Sequence, residues 1–111
     1  MQFAESTVKD ILVVKVLNSR IVADVAPQFK AGLIAYVNRG SGNIILDLSS
    51  VTFIDSSGLG ALIGSLKAMG RERELALSGA SDAVVDMFKL TRMNKVFRIF
   101  ANPEEAATAL A

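Results

Sequence analysis

Between Val51 and Met69 the chain passes from an apolar run into a helix-spaced pattern, through the junction Val51-Thr52-Phe53-Ile54-Asp55-Ser56-Ser57-Gly58-Leu59-Gly60. From Leu59 onward the apolar residues fall at Leu59, Leu62, Ile63, Leu66 and Met69, the spacing of one helical face. An acid and two adjacent hydroxyls therefore stand where a helix has unpaired N–H groups and a partial positive charge. A hydroxyl there can cap the helix, and a phosphate carried on it would meet backbone donors. That marks one of these serines as a candidate phosphorylation switch. Cap preference alone also selects Ser and Asp at a helix start, and glycines in a first turn also serve close packing on a sheet.

The rest of the chain alternates strand and helix patterns around this junction. Phe3 to Val8 and Ile11 to Leu17 read as two strands around a Lys9-Asp10 turn. Ile11, Val13 and Lys15 alternate with Leu12, Val14 and Val16, giving one apolar and one mixed face. Arg20-Ile21-Val22 adds a short extended piece. A helix follows from Asp24 or Val25 to Asn38, with Asp24 as candidate cap, Pro27 in the tolerated first turn and Gly40 closing the end. Its buried face is expected to use Val25, Phe29, Leu33, Tyr36 and Val37.

Asn43 to Leu48 is β-rich and apolar on consecutive positions, as a central strand buried on both faces requires. Glu74 to Ser78 reads as another such strand. Ser81 or Asp82 starts a helix carrying Val84, Val85 and Phe88 to about Leu90, and Lys95 to Phe100 is expected as a final strand. Pro103 opens a last helix with Glu104 and Glu105 in its positive first turn. The pattern predicts a single α/β domain over residues 1–111, its sheet mixed but mostly parallel, with about four helices packed on it.

Composition narrows the function classes. Lys and Arg total 12 against 11 Asp and Glu, a net charge of +1 that argues against a nucleic-acid partner. The densest basic group, Arg92 to Arg98, reads as a solvated edge. With no cysteine and no histidine, disulfides, thiolate or imidazole metal sites, and Ser-His-Asp or Cys-His catalysis are excluded for this chain. No apolar run approaches the roughly 18 residues of a membrane span, and Met1 to Glu5 lacks signal-peptide character, so a cytoplasmic protein without direct membrane insertion is expected.

Gly58, Gly60 and Gly64 are spaced G-x-G-x-x-x-G, which misses the dinucleotide fingerprint, and they are expected to let the helix lie close to the sheet. Asp47 and Asp55 lie near the ends of apolar runs; a metal or acid/base pair lacks a visible partner group. Asp47 is better read as a loop-capping carboxylate, and Asp55 as orienting the neighbouring hydroxyls or engaging a partner. Met69, Met87 and Met93 read as core filler.

The segment from Ile44 to Met69 resembles the signature region of STAS domains, found in anti-sigma factor antagonists and sulfate transporters, and Asp55-Ser56-Ser57-Gly58-Leu59-Gly60 is similar to the antagonists' phosphorylation site. The resemblance implies a non-enzymatic binding module without cofactor or metal. In that scheme the unmodified antagonist binds a serine-kinase anti-sigma factor, the kinase phosphorylates the serine after the Asp, here Ser56, and a PP2C-type phosphatase restores the complex. Ser57 would cap or support the helix. The family's Gly-x-(Leu/Ile)-Asp pattern falls on Ser19-Arg20-Ile21-Val22, so Ser19 and Val22 replace the glycine and the acid, with Asp24 two residues later.

The resemblance places the partner surface on Arg20, Asp24, Asp55, Ser56, Ser57, Gly58 and Leu59, within the loops Phe53–Ser57 and Arg20–Asp24 at one end of the sheet. A monomer or weak dimer is expected. The alternative is a constitutive STAS subunit of a lipid or anion transporter complex, which would dock through a similar helix end without phosphorylation.

Overall fold

A computed structural model describes residues 1–111. The first two strands, β1 (Phe3–Val8) and β2 (Ile11–Val16), form an antiparallel hairpin in which Val8 faces Ile11. The two turn residues between them, Lys9 and Asp10, take φ of 50° and 65°. Two left-handed residues in a two-residue loop match the right-handed twist of the strands. β4 (Ile44–Asp47), β6 (Leu75–Ser78) and β7 (Ile99–Phe100) then add in parallel, giving the order β1-β2-β4-β6-β7. β3 (Arg20–Ile21) and β5 (Phe53–Ile54) form a separate parallel pair.

Strand alternation divides the apolar residues between two layers. Val14, Val16, Ile44, Leu46, Leu75 and Leu77 face a core shared with α1 (Ala26–Arg39), α2 (Ser56–Met69) and α3 (Asp82–Leu90). Val13 and Ile45 project to the other side, under Ala106 and Ala107 of α4 (Pro103–Leu110). The consecutive apolar residues of β4 are therefore buried on both faces, as its sequence predicts. No helix is long and apolar enough to cross a membrane.

α1 buries Ala26, Phe29, Leu33 and Val37, while Val25 and Tyr36 of the expected face are half-buried. Phe3 stacks on Phe29 at 6.3 Å and meets Tyr36 edge-on at 5.8 Å. Gly32 makes room for that ring, since a Cβ there would stand 2.4 Å from Phe3 Cε2.

Two expectations about helix and strand ends are corrected. Asp24 does not cap α1: Val25 holds the cap position without a side-chain bond. The N–H of Ala26 already donates to Val22 O at 2.9 Å, and the next residue, Pro27, has no N–H to offer. Gly40 stands at the C-terminal cap of α1 as expected, in extended backbone with φ −145°. Arg73, from the loop before β6, supports that end by donating to Val37 O at 3.0 Å and Gly42 O at 2.8 Å.

The strand expected over Lys95–Phe100 is only Ile99–Phe100. Arg92 turns left-handed at φ 61°, Met93–Lys95 forms a 3-10 turn, and both Val96 and Phe97 donate their N–H to Met93 O. The turn delivers Phe97 to the core, edge-on to Phe88 at 6.2 Å. Elsewhere the expected ends hold: Ser81 caps α3 through Val84 N–H, and Asn102 caps α4 ahead of Pro103. Met69 is buried, and Met87 and Met93 pack against the same core.

Candidate functional site

The apolar run before the signature helix resolves into a buried Val51, an exposed Thr52 and the two-residue strand Phe53–Ile54. Ile54 is 2% exposed and Phe53 46%, the alternation of a strand with one face on the core. β5 is held to β3 by hydrogen bonds at both ends. Thr52 donates from its N–H (2.7 Å) and its Oγ1 (3.0 Å) to Ser19 O, and Asp55 N–H donates to Ile21 O at 3.2 Å. The loops 20–24 and 53–57, expected at one end of the sheet, are thus physically joined.

Asp55 completes the joint. Its Oδ1 accepts from Gly58 N–H at 2.9 Å, capping α2, and its Oδ2 accepts from Ala23 N–H at 3.1 Å. Both oxygens are engaged by backbone, so Asp55 does not orient the serine hydroxyls as expected. Nor does Ser57 cap the helix; Asp55 does. Ser56 and Ser57 are the first two residues of α2, both exposed, and neither hydroxyl bonds to another protein atom. Helix geometry also leaves their N–H groups without intrahelical acceptors.

The remaining expected contact residues separate into surface and support. Arg20 is exposed, its guanidinium 5.2 Å from the centre of the Phe53 ring, and Asp24 is exposed in the turn before α1. Gly58 and Leu59 are buried, which corrects their place among the partner-facing residues. A Cβ on Gly58 would stand 2.4 Å from Ile21 O and 2.8 Å from Ile54 Cγ2, so only glycine lets α2 lie on the β3–β5 pair. The close-packing reading holds there alone: Gly60 has nothing within 4 Å of a built Cβ, and Gly64 faces only the flexible end of Lys30.

Ser57 opens onto a 400 Å³ groove between the starts of α1 and α2, with Pro27 and Lys30 on its far wall. Lys30 escaped the sequence analysis because it is one of many scattered cations, and only the helix pairing brings it beside Ser57. Asp47 accepts from Ser49 N–H at 2.9 Å, the loop-capping role expected of it. Replacement of the family's glycine by Ser19 requires no strain, since Lys9, Asp10 and Arg92 are the only non-glycine residues with positive φ.

The fold is a mixed, mostly parallel α/β sheet with a separate β3–β5 pair that leads through Asp55-Ser56-Ser57-Gly58 into α2, and two free hydroxyls stand beside the capping acid. The sequence profile of the STAS domain matches residues 4–106, and the chain belongs to that family. It is 34% identical over 80 residues to the anti-sigma-B factor antagonist of Listeria monocytogenes serovar 1/2a, covering 71% of this chain and 70% of the relative. An anti-sigma factor antagonist from Mycobacterium paratuberculosis superposes with a TM-score of 0.86 at 24% identity, covering 98% of this chain and 92% of its own. The Bacillus cell fate determinant SpoIIAA, solved in the phosphorylated form, superposes at 0.66 with 20% identity, covering 99% of this chain and all (100%) of its own. These two structures share the fold.

Proposed function

We propose that this chain is an anti-sigma factor antagonist switched by phosphorylation of Ser56, regulatory rather than enzymatic. Unmodified, it binds a serine-kinase anti-sigma factor through the joined loops 20–24 and 53–57. The kinase phosphorylates Ser56 and the complex breaks; a PP2C-type phosphatase reverses the modification. The observation that carries this reading is the free Ser56 hydroxyl on the first residue of α2, beside an acid whose oxygens are both held by backbone. A phosphate there adds about −1.5 to −2 charge next to unpaired N–H groups, so the helix tolerates it while an interface pressed on it does not.

The direct test is incubation with a serine-kinase anti-sigma factor encoded in the same genome, ATP and magnesium, followed by mass-spectrometric mapping. One phosphate on Ser56 is expected, absent in Ser56→Ala, with affinity for the kinase falling at least tenfold on modification and far-UV circular dichroism unchanged. Labelling at Ser57 or Thr52 would refute the assignment. Equal binding of the modified and unmodified forms would favour the constitutive transporter-subunit alternative.

A further inference from the structure

The β7 edge of the sheet lies open beside a cleft. In the parallel register Leu77 faces Ile99; Leu77 N–H donates to Arg98 O at 2.9 Å and Gly79 N–H to Phe100 O at 3.0 Å. Because parallel ladders use alternate residues, the N–H and C=O of Ile99 are directed away from β6, toward the open side. Between this edge and α3 runs a cleft of 560 Å³, whose apolar wall includes Val85, Phe97 and Ile99. Its polar lining is Lys89, Asn94 and Arg98, with no carboxylate. Arg98 is shared with Glu74 at 2.6 Å, whereas Lys89 has no ion-pair partner.

A free main-chain donor and acceptor, an apolar trough at side-chain distance and a positive rim are together what an added strand requires. We propose that β7 and this cleft dock an extended segment of a partner protein, apolar at alternate positions with acidic residues between. The segment pairs its backbone with Ile99, sets an apolar side chain against Val85 and Phe97, and brings a carboxylate to Lys89. β7 is only two residues long, so main-chain pairing sets orientation while the cleft and the charge supply most of the affinity. The site shares no residue with the Ser56 loop and does not depend on the switch proposed above.

The probe is the acetylated, amidated hexapeptide Val-Asp-Val-Glu-Val-Asp, titrated into the ¹⁵N-labelled full chain. Shifts are expected at Ala80, Val85, Lys89, Ile99 and Phe100, with slowed amide exchange at Ile99. Binding should weaken about tenfold or more with Lys89→Glu, and equally when the acidic residues of the peptide are replaced by Lys. A peptide N-methylated on the nitrogens that would face β7 should also bind at least tenfold more weakly, and this variant leaves the protein untouched.

Absence of shifts at millimolar peptide, or shifts centred on residues 53–60, would overturn the proposal. Full binding by the N-methylated peptide would remove strand addition. The same shifts produced more strongly by sodium octanoate or by phosphatidylglycerol vesicles would assign the cleft to an anionic amphiphile or a membrane surface instead.

Discussion

At the scale of single residues, Gly58 and Gly60 look alike in the sequence and do opposite things. Alanine at Gly58 drives a methyl group into Ile21 O, a backbone atom that cannot swing aside. Overpacking of this kind costs about 1–3 kcal/mol, more than the helix-propensity gain of roughly 1 kcal/mol. At Gly60 no atom opposes the methyl group, so only the propensity gain remains. Thermal melts should therefore show Gly58→Ala destabilised and Gly60→Ala slightly stabilised; the same sign at both positions would contradict the packing described.

Asp55→Asn tests the second residue of the joint. It keeps an acceptor for one backbone N–H but turns an amide donor toward the other, at Ala23 or Gly58. A loss of about 1–2 kcal/mol in urea unfolding is expected. Amide shifts should reach residues 20–24, and a response confined to α2 would mean that the joint is not mechanical.

At the scale of elements, α1 shows how an end is closed from outside. Its cap residue makes no side-chain bond, its last residue is followed by an extended glycine, and the Val37 carbonyl of its last turn is met by Arg73 from the loop before β6. The planar guanidinium reaches Val37 O and Gly42 O at once, which a lysine ammonium cannot reproduce with the same fork. Arg73→Ala should cost about 1–2 kcal/mol, discounted because the side chain is partly exposed. Arg73→Lys should recover less than half of the loss, as read from melting temperature. Hydrogen exchange should quicken in the last turn of α1 first.

At the scale of the whole molecule, acid sensitivity reports how the N-terminal hairpin is tied to α1. Glu5 accepts both Arg39 nitrogens at 2.9 Å. That hydrogen bonding, aided by the Arg39 charge and opposed by desolvation, holds the Glu5 carboxyl below its ordinary 4.5. The unfolded chain binds the proton more readily than the folded one. The stabilisation is therefore present above the unfolded value and lost as pH falls through the lower folded value. The difference in melting temperature between the wild type and Glu5→Gln should be constant near neutrality and shrink toward zero in acid.

Periodicity made most of the elements and the α/β class legible, because spacing of apolar residues depends only on the local repeat of helix or strand. The Asp55-Ser56-Ser57 junction was legible for the same reason: cap residues act within one turn. The sequence alone could not show that α1 starts without a side-chain cap, that Arg73 meets its last turn or why Phe97 leaves the strand path, since Arg73 and Phe88 act from other parts of the fold. Nor could it tell surface from support within one short motif. Ser56 and Ser57 face solvent while Gly58 and Leu59 are buried, and that division exists only once β3 comes to lie beside β5. Local spacing determines the elements and the cap; long-range contact decides which of their residues a partner can reach, because burial is a property of the packed layers and not of the motif.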